Sequence, residues 1–98
     1  MNQNPNPNTK EFKLEIDKET AKGTYSNMAL ISHTGAEFFI DFVLAYPRQQ
    51  PTVTSRMVLS PQHAKALMMS LQENVRRFEN RFGEITLPTV NRDPAEQN

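Results

Sequence analysis

A change in hydrophobic period at Ser60 restricts this chain more than any other feature. Before it, large apolar side chains tend to alternate with other residues; after it, Ala64, Leu67, Met68, Leu71, Val75, Phe78 and Phe82 recur through five turns. Alternation sends side chains to opposite faces of a strand, whereas a period near 3.6 gathers them into one stripe along a helix. The order is therefore strands first and one long helix last, an α+β architecture. Ser60 supplies an oxygen acceptor for the orphan amides of a helix start, Pro61 brings a φ that is already helical, and Gly83 supplies the stop. The spacing predicts a helix over 61–82, with Lys65, Gln72, Glu73, Arg76, Arg77, Glu79 and Asn80 on its wet side.

Four strands are expected ahead of it. Phe12, Leu14 and Ile16 alternate with charged residues, and the polar break DKETAKG follows. The segments Thr24 to His33 and Ala36 to Tyr46 are separated by a turn around Thr34 and Gly35, which reads as an antiparallel hairpin. After the loop PRQQP, Thr52 to Leu59 completes a four-stranded antiparallel meander. Register follows from matching like with like across strands. Pairing the last two strands so that residue numbers add to 97 sets Phe38 by Leu59 and Ile40 by Met57, and brings Asp41 opposite Arg56 on the other face. For the first hairpin, numbers adding to 69 set Ile31 by Phe38 and Leu30 by Phe39.

One sheet face is then expected to lie under the helix, because a stripe of that length cannot stay wet. The opposite face carries Met28, Leu30, Phe39, Val43 and Val58 around the Asp41 and Arg56 pair, and is too apolar to be left in water. These seven residues form the predicted interface, and a second copy of the chain is the expected cover.

Composition removes several functions. The 98 residues carry eleven Lys and Arg against eleven Asp and Glu, so zero net charge gives no general pull toward a polyanion or an acidic membrane. There is no cysteine, which excludes disulfides, thiolate metal sites and a cysteine nucleophile, and suits a cytoplasmic location. No apolar run approaches the roughly 20 residues that span a bilayer, and MNQNPNPNTK lacks the apolar centre of a signal peptide. Residues 1–9 are an Asn and Pro-rich segment expected to be disordered, 10–85 a single domain, and 86–98 a flexible tail. The two histidines, His33 and His63, have no carboxylate at metal-pair spacing, and the glycines at 23, 35 and 83 build neither a serine elbow nor a phosphate loop. No catalytic residue, cofactor or metal is therefore expected. Arg76, Arg77 and Arg81 form a modest basic patch that a nucleic-acid binder would use, but neighbouring glutamates dilute it. Among the methionines, Met28 and Met69 are the expected surface contacts, deformable enough to accept varied partners.

The run YSNMALISHTGAEFFIDFVLAYP followed by SRMVLSPQHAKALMMSLQENVRRFENRFGEI resembles a small bacterial and archaeal family known as a domain of unknown function. Asn27, Glu37-Phe38, Asp41-Phe42, Pro47, Arg56, Ser60-Pro61, Lys65, Leu71, Asn74, Phe82-Gly83 and Ile85 carry that resemblance over residues 24–85. It implies no activity. The order of four antiparallel strands and a long helix is similar to the SecB-type export chaperones, without a shared motif and without their acidic character. The expectation is a non-catalytic homo-oligomeric interaction module, chaperone-like in binding polypeptides, with nucleic-acid binding through the helix arginines as the alternative.

Overall fold

A computed structural model describes residues 13–88. Its elements are α1 (Lys18–Lys22), β1 (Met28–His33), β2 (Phe38–Leu44), β3 (Thr52–Leu59) and α2 (Pro61–Phe82). The strands form one three-stranded antiparallel sheet in the order β1-β2-β3, a meander with β2 in the middle. The bounds of β3 and α2 are those the sequence predicts, while β1 and β2 are shorter than their apolar segments.

A fourth strand is absent among the described residues. Residues 13–17 have no regular structure, and Leu14 and Ile16 are 83% and 66% exposed. Phe12, like the N-terminal segment 1–9 and most of 86–98, lies outside the described residues. Alternation is only a side-chain pattern; a strand also needs a neighbour for its amides and carbonyls, and this segment has none in the sheet.

The polar break instead contains α1. Asp17 caps it, accepting from the amides of Glu19 (3.1 Å) and Thr20 (3.3 Å) and from the Thr20 hydroxyl at 2.6 Å. The Thr20 hydroxyl, then its amide, hold the Asp17 carboxyl below its ordinary pKa. Gly23 ends the turn at φ 80°, where a residue with a Cβ is strained.

In the β1-β2 hairpin, Thr34 N donates to Glu37 O at 2.9 Å, and the Thr34 hydroxyl oxygen accepts from the amides of Ala36 and Glu37. His33 stacks on Phe38 with ring centroids 5.3 Å apart. Paired numbers at this end thus add to 71 rather than the predicted 69. A two-residue slip leaves the face assignments intact, because side chains repeat every second residue. At the other end the Asn27 side chain imitates a strand backbone: its Nδ2 donates to Ala45 O (2.8 Å) and its Oδ1 accepts from Ala45 N (2.9 Å).

The chain divides into two compact units. One takes in the chain up to Ile31 with Ile40–Met57, the other Ser32–Phe39 with the chain from Val58 onward. In the first, Val43 at 2% exposure is the single buried hydrophobic residue among all those described. In the second, Ser60 caps α2 by accepting from His63 N at 3.1 Å, and the Gly83 amide closes the far end on Glu79 O. The helix contains no buried residue. Its stripe is not dry, contrary to expectation: Leu71 is 61% and Phe82 66% exposed. The reason is one of supply, since the strands contribute only Ser32, His33, Phe38, Phe39, Val58 and Leu59 to this unit, against a helix of about 33 Å.

Candidate functional site

β2 and β3 bring Asp41 and Arg56 together as the register predicts. Arg56 Nε donates to Asp41 Oδ1 at 2.6 Å and its terminal nitrogen to Oδ2 at 2.8 Å, a bidentate fork. The Asp41 side chain is 15% exposed and that of Arg56 60%. The hydrogen bond from Arg56 holds the Asp41 carboxyl below its ordinary range despite some desolvation, and Asp41 in turn raises the guanidinium. Both groups therefore stay charged across neutral pH.

The apolar residues expected to share a face with this pair differ in exposure. Met28, Leu30 and Val58 are exposed and Phe39 is half-buried. Val43 is a correction: it is buried within the chain itself and contributes to the core of its own unit, where it presents no surface to a partner. The opposite sheet face is no better covered, because Ile31, Val53 and Met57 are also exposed. Strand alternation marked one face as apolar, and among the described residues large apolar side chains stand exposed on both faces and along α2.

The helix arginines are largely engaged. Arg76 lies 2.6 Å from Glu73, Arg77 lies 3.4 Å from the same carboxylate, and the Arg81 guanidinium sits over the Phe82 ring at 5.2 Å. One glutamate thus pairs with two of the three cations proposed for nucleic acid. Among the described residues no group of three His, Asp or Glu side chains is arranged to hold a metal ion, and no helix is long and apolar enough to cross a membrane.

Sequence reasoning missed the surroundings of Tyr25. Thr20, Gly23 and Tyr25 line an open depression of about 750 Å³ together with Phe42, Ser55 and Met57 of the sheet. Its single carboxylate, Glu19, is paired with Lys22 at 3.1 Å. The signal was legible in the D-x-x-T of Asp17 and Thr20 followed by Gly23, a cap and a stop around one helical turn.

Residues 1–87 match the family described as protein of unknown function (DUF3467). The chain belongs to that family. The match takes in the whole segment 24–85 on which the resemblance was drawn, and extends it to the N-terminus. No curated protein and no solved structure matches the chain.

Proposed function

We propose that this chain is a non-catalytic, homo-oligomeric interaction module that binds polypeptide, first a second copy of itself and then other unfolded chains. One observation carries the reading: Val43 is the single buried hydrophobic residue among the described ones, while large apolar residues of both sheet faces and of α2 stand in solvent. Complete burial of a side chain such as Leu30 or Val58 stabilises by about 1.5 to 3 kcal/mol, so several such residues supply in an assembly what the lone chain lacks. Large exposed apolar side chains on both sheet faces and on α2 also suit contact with unfolded chains, and the absence of cysteine suits work in the cytoplasm.

Mass in solution by light scattering tests assembly, beside a Leu30→Glu variant. Leu30 is 56% exposed, so the new carboxylate leaves the chain's own packing alone. The native protein is expected at a multiple of 11.2 kDa, and the variant at a smaller multiple. A native monomer sinks the oligomeric reading. Light scattering from an aggregating client, unchanged by stoichiometric excess of the protein, sinks the client-binding half.

A further inference from the structure

The stripe on α2 contains a stricter pattern than a 3.6-residue period. Ala64, Met68, Leu71, Val75, Phe78 and Phe82 follow one another at intervals of 4, 3, 4, 3 and 4, which is the seam of a left-handed coiled coil. None of the six is buried in the chain: Ala64 is half-buried and the other five are exposed. A seam of this kind packs into an equally long seam on a neighbouring helix, and α2 is the single helix of that length among the described residues.

We infer that α2 pairs antiparallel with the α2 of a second copy, centred near Glu73. Side-chain size decides the direction. In an antiparallel pair, knobs meet in layers whose numbers add to 146, so Ala64 faces Phe82, Met68 faces Phe78 and Leu71 faces Val75, each layer occurring twice by symmetry. Every layer combines a smaller with a larger side chain or two of middle size, which keeps the helices evenly spaced. A parallel pair sets Phe82 on Phe82 and Phe78 on Phe78 at one end, with Ala64 on Ala64 at the other. Its axes would have to splay.

Charge points the same way independently. Lys65, Gln72 and Glu79 flank the seam on one side at seven-residue spacing. Antiparallel pairing brings Lys65 beside Glu79 of the second copy, Gln72 beside its equivalent, and Glu79 beside Lys65, each within about 3 Å along the axis at 1.5 Å rise per residue. Lys65 forms no ion pair among the described residues, whereas the helix cations on the outer side, Arg76 and Arg77, already have Glu73. Glu79 accepts from the Ile85 amide at 3.0 Å, and a carboxylate has room to accept a lysine as well. The parallel arrangement offers Lys65 no acidic neighbour.

This inference rests on the oligomeric reading and adds α2 to the sheet as a second contact between copies. The test is sedimentation equilibrium on the full chain, with helix content followed by circular dichroism. Leu71→Glu, at a position 61% exposed in the chain, is expected to weaken association at least a hundredfold without loss of helix. Lys65→Glu or Glu79→Lys alone replaces two attractions with two repulsions and is expected to weaken it roughly tenfold. The double reversal restores it to within about threefold, because the symmetric pair is rebuilt with its signs exchanged. A double variant as weak as the single ones overturns the antiparallel register. A dimer indifferent to Leu71→Glu but broken by Leu30→Glu overturns the helix pairing while leaving the oligomeric reading intact. A native monomer overturns both.

Discussion

β2 and α2 are the chain's richest apolar elements, and they end in opposite states. β2 contains no exposed residue and holds Val43, whereas α2 contains no buried one. A strand exists only if neighbours take up its amides and carbonyls, so a central strand is surrounded by the act of forming. A helix satisfies its backbone from within and takes shape before anything covers its stripe. Apolar sequence thus means a core in the first case and, on the reading proposed above, surface for a second copy in the second. Val43→Ala and Leu71→Ala separate the two meanings. Removal of two buried methyl groups from Val43 costs about 2 to 3 kcal/mol, cavity included, at any protein concentration. The Leu71 change costs little in dilute protein and progressively more as concentration drives assembly, which denaturation midpoints over a range of concentrations would register. Equal, concentration-independent costs would show that α2 is already buried within one chain.

The same contrast explains what could be read in advance. The limits of α2 are written locally, in Ser60, Pro61 and Gly83, and the Asp41 and Arg56 pair follows from matching two adjacent strands. The hairpin slipped by two residues because Thr34 uses its hydroxyl to close the turn on Ala36 and Glu37, a choice that apolar alternation does not encode. Leu14 and Ile16 alternate as a strand would, but whether a neighbour waits for them is not a property of that segment. The helix stripe misled in the same way. Its pattern demands burial and leaves open in which molecule.

The ends of the two elements allow a sharper comparison at about 1 kcal/mol. Asn27 closes the sheet beyond β2 with two side-chain bonds to Ala45, and Asn27→Ala is expected to cost about 1 kcal/mol and to speed hydrogen exchange at the Ala45 amide. Ser60→Ala removes the α2 cap at a similar cost, about 1 kcal/mol, whereas Ser60→Gly costs only a few tenths. Exchange changes should stay with the element altered. If Asn27→Ala also loosens the amides of α2, the sheet and the helix open as one unit, and the contrast drawn between them fails.

The smallest expected effect belongs to the ion pair across β2 and β3. Because Arg56 lowers the pKa of folded Asp41 from its ordinary 3.8, the unfolded chain takes up the proton first on acidification. The pair's contribution is therefore complete above that value and drains away as pH falls through the lowered one. Asp41→Asn has nothing to titrate there, so its stability should fall less steeply in acid than that of the native chain. Some slope persists because Asp17, held low by Thr20, titrates in the same direction. Added salt should narrow the difference between the two profiles, since Arg56 stands largely in solvent. Denaturant midpoints between about pH 2 and 5 at low and high salt measure this. Parallel profiles would mean that the fork survives or breaks with no consequence for β2, and that central position alone keeps that strand covered.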